Sequence, residues 1–214
     1  MNDPHVVLRP VGNPMPLAFF ALATGTLTLS GMQLGWVPAS ESKDVALVLI
    51  GFVFPLQLVA MVFAFLSRDG AAAEAFGLLA GAWLVTGLVT ITSPPGSTDR
   101  ALGLFLFAVG LLLLAPAAAS ASSRAVATAV LIGAALRFAV TGLYEFTAGG
   151  GWEDAAGLVG LGLFLLAAYA GLAFTLADAR GGSGPLPIGR GGDGRPLEAD
   201  PGEVAGEPGV RPLL

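Results

Sequence analysis

Residues 10–40 read PVGNPMPLAFFALATGTLTLSGMQLGWVPAS and contain no ionisable side chain. A helix rises 1.5 Å per residue, so about 20 predominantly apolar residues cross the ~30 Å hydrocarbon layer of a bilayer. Residues 17–37 meet that requirement alone, and five further runs follow: 45–66, 75–92, 101–119, 125–147 and 155–177. They are separated by Ser67-Arg68-Asp69-Gly70, Ser93-Pro94-Pro95-Gly96, residues 120–124 and Gly149-Gly150-Gly151, all breaker-rich. The first run exceeds a signal-peptide core and leads into five more spans, so it is expected to stay in the mature chain. The expected fold class is all-α, an integral membrane bundle of six transmembrane helices.

Composition agrees. Of 214 residues, 55% are hydrophobic and 12% charged, about half the charge of an average soluble domain. The chain has no cysteine, which excludes disulfides, thiolate metal sites and cysteine nucleophiles. Its one histidine, His5, lies in the polar leader, and no carboxylate pair has acid–base or metal-ligand spacing. No enzyme, cofactor or metal is expected. The net charge of −5 reflects acids gathered in the C-terminal tail and implies no nucleic-acid partner.

Three regions are expected: a polar leader over 1–12, a transmembrane domain over 13–180, and a Gly-, Pro- and acid-rich tail over 181–214 read as disordered. Arg9, Arg68, Arg124 and Arg180 fall on one side of the spans, against Lys43 and Arg100 on the other. Basic residues favour the cytoplasmic side, so both termini are expected in the cytoplasm of a cell-membrane protein.

Polar residues inside the spans mark where function would sit. Asn13-Pro14-Met15-Pro16-Leu17 opens span one with a favoured capping residue and first-turn prolines, and reads either as a cap alone or as a mouth whose free N–H groups attract a small anion. Span one then divides at 100° per residue. Thr24, Thr28, Gly31 and Gly35 share one face, the glycines forming a GxxxG pair suited to close helix packing. Leu22, Thr26, Leu29 and Gln33 share the other. In span two, Pro55 removes a ladder bond and frees the Gly51 carbonyl, while Gln57 either joins two helices or lines a pore. Gly77 and Gly81 in span three allow a close neighbour. Arg137 lies near the middle of span five, where a charge costs ~2.5–3.5 kcal/mol even on the lenient insertion scale. It reads either as an anion attractor in a polar passage, or as a lock onto backbone carbonyls or an oligomer contact. Thr141 and Tyr144 follow on its face, with Glu145 at the edge. Glu145 lies about 12 Å further along the axis, so each charge is expected to find its partner on another helix.

These motifs resemble the acetate uptake transporters, the succinate–acetate permease family. Residues 13–17 resemble its Asn-Pro-Ala-Pro-Leu signature with Met15 at the third position. Phe76-Gly77-Leu78, Gln57 and Leu186-Pro187-Ile188-Gly189 resemble further family positions, and the likeness runs over roughly 12–190. The resemblance implies six-helix protomers assembled as hexamers that pass small monocarboxylates such as acetate, by proton-linked or channel-like transport. It also implies a narrow apolar constriction whose Phe, Tyr and Leu fall here on Leu22, Leu84 and Gly133, with Leu131 and Ile132 beside the last. All three positions lose bulk or the phenol. Arg137 and Glu145 have no counterpart in the family pattern. The expected partners are thus a small carboxylate, protons, the lipid bilayer and further copies of the chain. Asn13, Leu22, Thr26, Gln33, Gln57, Leu84, Gly133, Arg137, Tyr144 and Glu145 are the candidate pathway residues. The altered constriction leaves a second reading, a non-conducting membrane structural or signalling protein of the same fold.

Overall fold

The computed structural model describes residues 12–180 and 184–189, so most of the leader and of the tail lie outside the described residues. Six helices are long and apolar enough to cross a membrane: α1 (Met15–Gln33), α2 (Ala39–Leu66), α3 (Gly70–Thr92), α4 (Arg100–Ser120), α5 (Ala125–Thr147) and α6 (Gly150–Ala179). The described residues contain no strand. The chain is therefore an all-α, multi-pass membrane bundle. Each helix packs against its neighbours in sequence, and α6 returns to α1, closing the ring. Asn13 Nδ2 donates to Asp178 Oδ1 at 3.1 Å, so the start of α1 and the end of α6 share one mouth. That mouth is called near below, and the opposite one far.

Helix ends follow local chemistry more than hydropathy. Asp69 and Asp99 cap α3 and α4 by accepting from Ala72 N and Leu102 N at 3.1 and 2.9 Å. α3 accordingly starts at Gly70 instead of residue 75, and α6 starts at Gly150 instead of 155. α1 stops at Gln33 because Gly35 takes a φ of +71°, a region open to glycine at little steric cost. The chain then folds back, with Trp36 N and Val37 N both donating to Gly31 O. The expected GxxxG contact is thus corrected: Gly35 makes a turn, and Gly31 faces its own following loop.

Pro55 does not produce an open kink. A π-helical turn at Leu49–Val53 precedes it and absorbs the missing donor, leaving Gly51 on the exposed outer face, away from the interior. Close helix approach comes from other glycines than Gly81, beside which a Cβ would find open space. A Cβ on Gly87 would lie 2.6 Å from Ile50 Cγ1, and one on Gly142 2.9 Å from Gly103 O. These contacts seat α3 on α2 and α5 on α4. Residues 184–189, assigned on composition to the disordered tail, instead lie on the bundle. Gly189 O accepts from Ala125 N at 2.9 Å, Tyr169 Oη donates to Pro187 O at 2.8 Å, and Ile188 is buried. The composition of this stretch is loop-like, but its Gly189 carbonyl satisfies one of the orphan N–H groups at the head of α5.

Candidate functional site

Two vestibules enter the ring from opposite mouths. The near one, of about 520 Å³, is lined by Asn13, Ser67, Arg68, Asp69, Arg124 and Asp178. Asn13 Oδ1 accepts from Met15 N at 3.1 Å, so it closes the head of α1 as a capping residue does, one position before the cap itself. Arg124 pairs with Asp69, joining the α4–α5 and α2–α3 connections across this mouth.

Behind the near vestibule the interior turns apolar. Phe19 meets Phe76 edge-on at 6.2 Å between centroids and Phe174 at 5.6 Å. Leu22 follows one turn along α1, fully buried. Trp83 then crosses the waist. Its indole lies 5.9 Å from the Phe138 ring, and a Cβ on Gly25 would stand 3.2 Å from its Cζ2. Gly25 on α1 therefore makes the space that Trp83 from α3 fills. Leu84 and Gly133 do not join Leu22 here. Leu84 is half-buried, Gly133 packs on Leu163 of α6, and Ile132 is exposed. One residue of helix is 100° of rotation, enough to turn Trp83 inward where Leu84 was expected.

Beyond the waist the interior becomes polar. Arg137 is 1% exposed, yet among the described residues its guanidinium has no carboxylate partner. Nη1 donates to Thr141 Oγ1 at 2.9 Å and to Ala156 O at 2.6 Å, and Nη2 donates to Gln33 Oε1 at 2.6 Å. Those bonds use three of five N–H groups, and Nε is left without an acceptor. The partners come from α1 and α6 as well as α5, as expected. They include both the carbonyl lock and the polar side chains of a passage. Gly160 makes the arrangement possible, because a Cβ there would stand 2.0 Å from Ser30 Oγ and 2.7 Å from Arg137 Nε.

The far vestibule, of about 80 Å³, is lined by Gln33, Thr86, Thr141, Tyr144, Glu145 and Glu153 among others. A smaller cavity of about 10 Å³ lies deeper, walled by Trp83, Thr86, Arg137, Phe138 and Thr141. The two share Leu29, Thr86 and Thr141, so one set of side chains runs from the far mouth to Arg137. Six buried side-chain polar atoms lack a partner among the described residues: Ser30 Oγ, Ser42 Oγ, Gln57 Oε1, Trp83 Nε1, Thr86 Oγ1 and Arg137 Nε. Three of them are hydroxyls, which donate or accept, Gln57 Oε1 only accepts, and Trp83 Nε1 and Arg137 Nε only donate.

The remaining candidates have ordinary explanations. Thr26 is buried but donates to Leu22 O at 2.9 Å, its own helix. Gln57 Nε2 donates to Ala18 O at 3.0 Å, which makes it a contact between α2 and α1. Glu145 Oε2 accepts from Asp99 N at 2.7 Å, pinning the head of α4 to α5, while half-buried Tyr144 lines the far vestibule beside it. Sequence reasoning missed Trp83, Thr86, Ser30 and Gly160. Ser30 lay within reach, since 26, 30 and 33 follow the i, i+4, i+7 spacing of one helix face.

No protein-family model matches the sequence, and no curated protein matches it. Among solved structures, the chain is similar to the bacterial acetate channel SatP, at 20% sequence identity and a TM-score of 0.74. The likeness covers 84% of this chain and 100% of that one. The six-helix fold implied by the Asn-Pro motif is therefore that of a solved channel.

Proposed function

We propose that this chain is a channel-like permease for small monocarboxylates such as acetate, with a passage running through the bundle between its two vestibules. The observation that carries the reading is Arg137, a buried cation without a counter-ion among the described residues, at the floor of the far vestibule. A carboxylic acid of pKa near 4 is almost wholly ionised at neutral pH, and hydrocarbon excludes the ion. A passage that offers fixed donors beyond a short apolar neck removes that barrier while limiting leak. Asn13 stands at the near entrance. Leu22 with Trp83 forms the neck, Gln33 and Arg137 receive the anion, and Tyr144 and Glu145 flank the far exit. Thr26 and Gln57 support the wall. Likeness in fold to an acetate channel supports the substrate class. The arginine-rich connections support a cytoplasmic near mouth, and resemblance to the permease family supports a homo-oligomer, as a hexamer, with proton linkage.

The closed waist favours the rival reading, a non-conducting membrane protein. Labelled acetate, lactate and succinate offered to proteoliposomes across an imposed pH gradient separate the two. Saturable acetate uptake that Arg137→Gln lowers by roughly a hundredfold is expected. No uptake of any of the three by correctly assembled protein overturns the permease.

A further inference from the structure

Gln33 is 5% exposed and lines the far vestibule, not the deep cavity beneath it. Its amide can face only one way. Arginine only donates, so the atom 2.6 Å from Arg137 Nη2 must be the Gln33 oxygen. The Nε2 end is thereby turned away from the guanidinium. It has no acceptor among the described residues, yet it is not one of the six sealed polar atoms, so it opens on the vestibule. An amide whose oxygen accepts from a cation donates more strongly through its nitrogen. Arg137 thus strengthens the donor that Gln33 shows to the vestibule.

The wall around that donor is hostile to a bare anion. Among the lining residues the titratable groups are Asp99 from α4, Tyr144 and Glu145 from α5, and Glu153 from α6. None comes from α1, α2 or α3, and no lysine or arginine lines the wall. A carboxylate ion entering here would be a fourth like charge in one enclosure. An acid that keeps its proton adds no charge, and its O–H donates to a carboxylate that would repel the ion. Asp99 Oδ1 and Glu145 Oε2 already accept from Leu102 N and Asp99 N at 2.9 and 2.7 Å. Glu153 accepts from no backbone N–H among the described residues, so its oxygens are the freest of the three.

We infer that the far vestibule binds a short monocarboxylic acid in its neutral, protonated form, the carbonyl oxygen accepting from Gln33 Nε2 and the O–H donating to Glu153. The inference rests on the proposed function's reading that this vestibule is a mouth of the passage, and adds the state in which the guest enters there. The volume of about 80 Å³ holds on the order of five water-sized groups, which suits an acid of two or three carbons. Leu29, Met32, Val89 and Leu102 give its tail an apolar wall.

Acetamide separates this site from an anion site. It has the shape of acetic acid, with a carbonyl acceptor and an N–H donor, and carries no charge at any working pH. The test is saturation transfer, read by NMR, from the purified full chain in detergent to the methyl protons of acetamide or acetate, compared with empty detergent. Acetamide is expected to bind saturably at about pH 7.5. Acetate is expected to bind at about pH 5 and to lose apparent affinity about tenfold per pH unit above the acid's own pKa. Gln33→Leu removes the donor and is expected to weaken acetamide about tenfold, the weight of one strong hydrogen bond. Glu153→Gln removes a repelling charge and keeps an acceptor, so acetate binding is expected to extend to higher pH. No saturable binding of acetamide to the wild type, or acetate bound as well at pH 7.5 as at pH 5, overturns the site without need of a variant. Unchanged acetamide affinity in folded Gln33→Leu, or no extension of the acetate range in folded Glu153→Gln, also overturns it. Uptake by proteoliposomes is read separately. Binding without transport removes the permease and keeps the site, whereas transport without acetamide binding removes the site alone.

Discussion

Arg124 and Arg137 stand on one helix at about 20 Å from each other along its axis, and the protein treats them in opposite ways. Arg124 heads α5 at the near mouth, 36% exposed, where it pairs with Asp69. Arg137 sits in the far half, 1% exposed, with hydroxyl, amide and carbonyl partners and, among the described residues, no carboxylate. The near mouth thus answers each of these charges within the chain: Arg124 with Asp69, and Asp178 with Asn13. The far half holds a cation in reserve. Under the proposed function a mobile anion supplies the missing charge, which would put recognition in the far half and structural closure in the near one.

The sharpest way to break this contrast is at the waist between the halves. Trp83→Ala removes the indole that meets Gly25 and Phe138, and loss of a buried Trp side chain costs ~3–5 kcal/mol. A lowered unfolding midpoint together with new uptake of larger anions such as succinate is expected. Retained exclusion of succinate in a folded variant would show that Trp83 is core packing and not the neck. Next in size is Arg137→Gln. Two charge-assisted hydrogen bonds at ~1.5 kcal/mol each correspond to roughly a hundredfold, and acetate uptake is expected to fall by that factor. Uptake within threefold of wild type would make Arg137 a lock like any other. Leu22→Trp overfills a buried position, which costs ~1–3 kcal/mol, and is expected to block uptake with the fold retained. Normal flux in that variant removes Leu22 from the neck.

The sequence carried the six spans because hydropathy over twenty residues is a coarse quantity that local detail does not erase. It also carried Arg137, since a charge at that depth is expensive wherever its side chain points. Helix ends were less legible. Asp69 and Asp99 each act through one hydrogen bond to a backbone N–H, and Gly35 through a single dihedral, features that hydropathy does not register. The orientation of Leu84 was hidden for a related reason. Aligning a motif without gaps fixes position to the residue, yet one residue rotates a helical side chain by 100°, so Leu84 was read where Trp83 points inward. Gly160 had no signal of its own, because a glycine cut out for Ser30 and Arg137 is visible only once α1, α5 and α6 are together. The strap at 184–189 was hidden by its composition, which resembles linker until its carbonyls meet α5.

The smallest expected effect tests the near half of the contrast. Asp69 has two tasks, accepting from Ala72 N at the head of α3 and pairing with Arg124. Asp69→Asn keeps the first, since asparagine caps as well as aspartate does, and removes only the charge. Side chains 36% and 21% exposed sit where water and salt screen the attraction, so the pair contributes at most ~0.5–1 kcal/mol. The unfolding midpoint of Asp69→Asn is therefore expected to fall slightly at low salt and to converge on wild type at high salt, with acetate uptake unchanged. Asp69→Ala loses the cap as well and is expected to cost about 1 kcal/mol more at every salt concentration. A large loss of uptake in Asp69→Asn would mean that the near pair gates the passage, and the division between a closing half and a recognising half would no longer hold.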